Sequence, residues 1–260
     1  MVEVERVEEG AGLVAHDMSS GRKGETSYGS VRERTPRTPP GLPRLCPMAN
    51  PSTPELLVLH AVRLRGMTDE TEAAARFGLA PETVAELLLD LQAYGRVTRS
   101  SFAGTSGWSL TDAGRAEGER LLAEELAARG LGPYVRERYE TFLAYNGRCL
   151  TACTDWQLRP DGAGRLAVNT HGDAAWDARV LDELTVLGGV IDTLSAELGA
   201  RLSRFAGYGD RFTSALARVR RGEFSWVDRP RADSCHTVWM ELHEDLLATL
   251  GIRRGEEPVP

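Results

Sequence analysis

Between Ser52 and Gly114 three short stretches with a helical apolar period, each closed by a glycine, run into a stretch of strict alternation. Few folds accommodate that order. Ser52-Thr53-Pro54-Glu55 places hydroxyl caps ahead of a first-turn proline, Leu56, Leu57, Leu59, His60 and Leu64 follow at helical spacing, and Gly66 stops the run. Thr68-Asp69-Glu70 caps a second helix, with Ala74, Ala75 and Phe77 expected to face inward, and Gly78 ends it. A third helix begins at Pro81-Glu82 and carries the stripe Val84, Leu87, Leu88 and Leu91 towards Gly95. Arg96-Val97-Thr98-Arg99 then alternates, residues 100–107 are rich in Gly, Ser and Thr, and Trp108-Ser109-Leu110 resumes the extended pattern, which predicts a short hairpin. Leu110-Thr111-Asp112-Ala113-Gly114-Arg115 closes the strand and caps a fourth helix through Leu121, Leu122 and Leu126.

Three helices, a hairpin and an L-T-x-x-G-R turn in this order resemble the winged helix-turn-helix regulators of the MarR and PadR type, over residues 52–127. The resemblance implies a sequence-specific transcriptional regulator that binds double-stranded DNA, with the start of the third helix in the major groove and the hairpin, or wing, on neighbouring phosphates. It makes Pro81, Glu82, Thr83 and Glu86 the groove-facing candidates, and Arg96, Arg99 and Arg115 the backbone contacts. Charge argues the other way. The chain has a net charge of -7, and residues 54–126 hold 12 acids against 7 bases, whereas duplex binding draws on clustered cations. A winged helix that recruits a protein partner without binding DNA is the alternative.

After Gly130 the sequence is again mainly helical. Tyr134 to about Leu158 is one expected helix, with Asn146-Gly147 as a potential interruption, and Arg165 to His171 is irregular or briefly extended. Val180, Leu184, Leu187, Ile191, Leu194 and Leu198 form a heptad-like seam. Phe212, Leu216 and Val219 mark a further helix, and Val238, Trp239, Leu242, Leu246 and Leu250 a last one. The fold class expected is mainly α: the winged helix followed by a bundle-like helical domain at 128–252 that binds a small-molecule effector, forms a homodimer, or both. Polar groups among aromatics make Asn146, Asp155, Trp156, His236, Trp239 and His243 the effector-binding candidates. Glu244 and Asp245 are expected on the solvated face of the last helix.

Cys149 and Cys153 stand one helical turn apart and could join Cys235, His236 and His243 in a metal site only if their helices pack together. Buried reduced thiols are the simpler expectation, and no metal or other cofactor is assigned. No G-x-S-x-G, P-loop, H-E-x-x-H or dinucleotide fingerprint occurs, so an enzyme is not expected; a small-molecule-binding protein or enzyme using the helical domain is the remaining alternative. No long uncharged apolar run or signal peptide is present, which suits a cytoplasmic protein without membrane contact. Residues 1–51, rich in Gly, Ser, Pro and mixed charge, read as a disordered leader in which Met48 is a candidate start, and 253–260 as a disordered tail.

Overall fold

The computed structural model describes residues 51–102, 105–161, 163–253 and 255. The expectations for the leader up to residue 50, Met48 included, and for nearly all of the tail lie outside them. The chain is mainly α, with three helices and a β-hairpin followed by a helical C-terminal region.

The first helices start where their caps predict. Thr53 Oγ1 accepts from the Leu56 amide ahead of α1 (Pro54–Arg65), and Asp69 accepts from the Glu72 amide ahead of α2 (Glu70–Phe77). Gly78, at φ +67°, turns the chain into α3 (Pro81–Ala93). Strands β1 (Val97–Phe102) and β2 (Thr105–Leu110) pair antiparallel, Val97 opposite Leu110. Thr68 exchanges both backbone hydrogen bonds with Trp108, at 3.1 and 2.8 Å, and so adds a one-residue third strand that the sequence pattern does not reveal. Ala73 and Ala74 face the core with Val58, Leu59, Val62, Val84, Leu88, Leu91 and Trp108, whereas Ala75 is exposed, contrary to the expectation for it.

The L-T-x-x-G-R turn has a physical basis. Thr111 donates to the Gly95 carbonyl at 2.6 Å and caps α4 (Asp112–Arg129) by accepting from the Gly114 amide at 3.0 Å. A Cβ on Gly114 would lie 1.8 Å from the Arg96 carbonyl oxygen, so only glycine lets α4 begin against the base of the hairpin.

The helical region begins with α5 (Gly132–Gln157), which Asn146-Gly147 does not interrupt. A short hairpin of β3 (Leu158–Pro160) and β4 (Leu166–Val168) leads to α6 (Ala174–Gly199), α7 (Tyr208–Arg220) and α8 (Cys235–Leu250). The four long helices close a ring: α5 packs on α6 and α8, and α7 packs on α6 and α8. The heptad-like seam of α6 is buried throughout, with Phe142, Phe212 and Trp239 as the bulk of the core. α8 is buried on nearly every side because it also packs against α1 and α4, where Leu56, Leu122 and Ala248 make a small joint core.

Candidate functional site

The first candidate surface is the outer face of α3 and the hairpin. Pro81, Glu82, Thr83 and Glu86 are all exposed, and Leu89 and Asp90 continue the same face. Ala80 has no side chain to cap α3, so the first-turn amides are left to water or an anion. α3 itself carries no Lys or Arg. Of the three arginines expected at the backbone, Arg96 is held by Glu55 at 2.5 Å and Glu117 at 3.1 Å, tying β1 to α1 and α4. Arg99 is exposed, its guanidinium 5.6 Å from the centre of the Trp108 ring. Arg115 is exposed on the first turn of α4 and makes no ion pair among the described residues. Arg99 and Arg115 are therefore the cations of this set left available to a partner.

The second feature is the seam where α8 meets α1, α2 and α4. Asp245 is fully buried. It accepts hydrogen bonds from Arg204 and from the Tyr208 hydroxyl at 3.0 Å, and His60 Nε2 lies 2.9 Å from its Oδ1. Burial alone would push this carboxyl upward, but Arg204, His60 and Arg76 outweigh it and hold Asp245 well below the usual carboxylate range. Burial likewise pushes His60 below its ordinary value; Asp245 pulls it back, Arg204 and Arg76 oppose that pull, and the ring stays neutral at pH 7. One turn earlier, the buried Glu241 meets Arg211 at 2.7 Å, Arg65 at 3.2 Å and Arg76 at 3.6 Å. Arg63 bridges Glu119 of α4 and Glu244 of α8, both at 2.9 Å.

This corrects the expectation for Glu244 and Asp245. Neither is simply solvated: Asp245 is buried and Glu244 is half-buried in an ion pair. Their partners stand up to 185 residues away in the chain, at a distance no local pattern can signal.

Beside this seam lies an open groove of about 1290 Å³. It is lined by Arg63 of α1, Arg115 of α4 and His236, Met240 and Glu244 of α8, together with Arg231 and Arg253.

The six effector-binding candidates do not share one site. Trp239 is fully buried, stacked 4.7 Å from Phe142, and its indole donates to Asn146 Oδ1 at 3.1 Å. His243 lies in the same core, 5.1 Å from Phe142. Trp156 is buried elsewhere, donating to the Phe224 carbonyl at 3.1 Å and packed 4.5 Å from His171. Asp155 borders a shallow depression of about 590 Å³ between α5 and α6. His236 alone of the six lines the large groove. Polar-aromatic spacing along a helix marked core packing for three of them, because period alone does not distinguish a ligand-facing stripe from a buried one.

Cys149, Cys153 and Cys235 are free and buried. The hydrogen bond to Cys153 and then burial push the Cys149 thiol up, and burial pushes Cys235 up to about 12. Such thiols are poor nucleophiles. No group of three or more His, Cys, Asp or Glu among the described residues is arranged to hold a metal ion. None of the described helices is long and apolar enough to cross a membrane. No family model, no curated protein and no solved structure matches the chain.

Proposed function

We propose that the chain is a DNA-binding transcriptional regulator whose winged helix-turn-helix comprises α1 to α3, the β1–β2 hairpin and the start of α4. The observation that carries this reading is the three-residue turn Gly78-Leu79-Ala80, which joins α2 to an α3 whose Pro81, Glu82, Thr83 and Glu86 are left exposed beside the hairpin while Val84 is buried. In this reading α3 enters the major groove, where Thr83 and Glu86 meet base edges. Arg99 and Arg115 meet phosphates, helped by the first-turn amides of α3. A homodimer supplies the second half-site contact and doubles the cation count. The regulator performs no catalysis.

The magnitude follows from the cations available. Two arginines per protomer give four phosphate contacts in a dimer, and a slope of log affinity against log salt of about -3.6. Arg99→Ala in both subunits removes two of them. Fluorescence anisotropy with duplexes from the upstream region of the protein's own operon is expected to show weaker binding for the variant and a slope shallower by about 1.8. An unchanged slope and affinity would sink the placement of the hairpin on DNA.

One observation favours a second reading. Glu82, Glu86 and Asp90 share the exposed face of α3 with Leu89, and no cation relieves them on that helix. An acidic face with an apolar centre suits a protein partner better than a phosphate backbone. This reading is favoured if the folded protein fails to bind any duplex at low salt.

A further inference from the structure

We propose that the groove between α1, α4 and α8 is a binding site for an organic phosphate, a small molecule with an apolar body and a phosphate monoester head. The site differs from the polar-aromatic set within the bundle and shares only His236 with it.

In a chain of net -7, this groove gathers five arginines and His236 against four acids. Arg63 and Arg65 are engaged by carboxylates, whereas Arg115 and Arg253 are exposed and form no ion pair among the described residues. Arg231, which also lines the groove, holds a φ of +58°, a conformation that non-glycine residues adopt only at a cost. Guanidinium forks match phosphate and carboxylate oxygens. A carboxylate occupies one fork, while the three terminal oxygens of a phosphate monoester can accept from two forks at once, which favours phosphate where two are available.

The rest of the groove sets the other half of the ligand. Met240, Leu247, Ala248 and Ile252 give it an apolar side, and its volume of about 1290 Å³ exceeds what an inorganic anion needs. The site also touches the seam where α8 packs against α1 and α4. Arg63 on its wall is the residue that clamps Glu119 to Glu244, so a phosphate competes with those carboxylates for the same guanidinium. Arg115 is also one of the two cations assigned above to DNA phosphates. Occupancy therefore weakens DNA binding, a consequence that rests on the regulator reading, whereas ligand binding itself does not.

The test is calorimetric titration of the full chain with 1-naphthyl phosphate, with 1-naphthol and inorganic phosphate as its two halves. Saturable one-to-one binding of the whole molecule is expected, with each half at least tenfold weaker. The double variant R115A/R253A, which removes two exposed side chains without ion-pair partners, is expected to lose at least tenfold for naphthyl phosphate and nothing for naphthol. Arg120→Ala, a cation of α4 that does not line the groove, is expected to bind as the parent does. Absence of saturable binding, equal binding of naphthol, or full affinity in R115A/R253A would overturn the proposal. Binding that passes these tests in a protein that ignores every duplex would leave the groove assignment intact and refute only the regulator reading.

Discussion

Replacing Asp245 with Leu isolates the most deeply buried charge in the described chain. The substitution leaves the Arg204 side chain, itself 0% exposed, with Glu125 at 3.3 Å, Thr249 at 2.8 Å and the Phe205 ring at 4.3 Å. It also strips Tyr208 of its acceptor and His60 of its neighbouring carboxylate. Removing one member of a buried ion pair costs about 3–5 kcal/mol, mostly because the other charge stays desolvated and unmatched. Against a domain stability of about 5–15 kcal/mol this is a large fraction, and at about 2–4 °C per kcal/mol it lowers the melting temperature by roughly 6–20 °C. Urea unfolding followed by far-ultraviolet circular dichroism measures it, provided the slope with urea is unchanged. The companion variant Arg204→Met completes a double-mutant cycle. Because the double variant removes both charges, its cost is expected to fall short of the sum of the two single costs by about 2 kcal/mol or more. A loss below about 1 kcal/mol for Asp245→Leu, or costs that add within about 0.5 kcal/mol, would refute the claim that this pair is a coupled, desolvated unit.

His60 faces Asp245 from α8, Arg204 from the turn before α7, Arg76 from α2 and the Phe77 ring. Its folded pKa is lowered, so the unfolded chain binds more protons; stability is fully present above about pH 6.5 and falls as pH drops through it, by up to about 1.4 kcal/mol per pH unit, and urea midpoints of His60→Gln are expected to show a shallower decline between pH 7 and 5.5. Gly114→Ala drives a methyl into the Arg96 carbonyl, and denaturant midpoints are expected to report a loss of about 2–3 kcal/mol; a neutral result would mean that α4 can begin elsewhere. Trp239→Ala empties the centre of the bundle and is expected to cost about 3–5 kcal/mol, while Leu89→Ala, at a position 59% exposed, is expected to stay within about 0.5 kcal/mol by the same assay.

The elements that were legible in the sequence are those whose signals are local. Thr53, Asp69 and Thr111 cap their helices through side chains within three residues, and Gly78 and Gly114 mark places where the backbone must turn or approach closely. Pairing between distant segments was not legible. Asp245 follows His243-Glu244 in a stretch that reads as a charged helix face, and only the packing of α1, α7 and the turn before α7 onto α8, which brings His60, Tyr208 and Arg204 to it, makes it interior. Thr68 reads as the start of a cap, yet its backbone pairs with Trp108, 40 residues on. The same limit applies to function. The exposed start of α3 follows from the turn chemistry, whereas the groove needs α1, α4, α8 and the 228–231 loop to meet, and no one of them carries its signature alone.

Selection from a pool of random duplexes tests, without knowledge of the operator, whether α3 and the hairpin engage DNA. The full chain is incubated with the pool at low salt, bound duplexes are recovered and sequenced over several rounds, and Arg99→Ala is carried through in parallel. Enrichment of a motif with two half-sites about one helical turn apart, weakened in the variant, is the expected result. A folded protein that enriches no sequence at low salt would contradict the DNA-binding account and assign the acidic face of α3 to a protein partner.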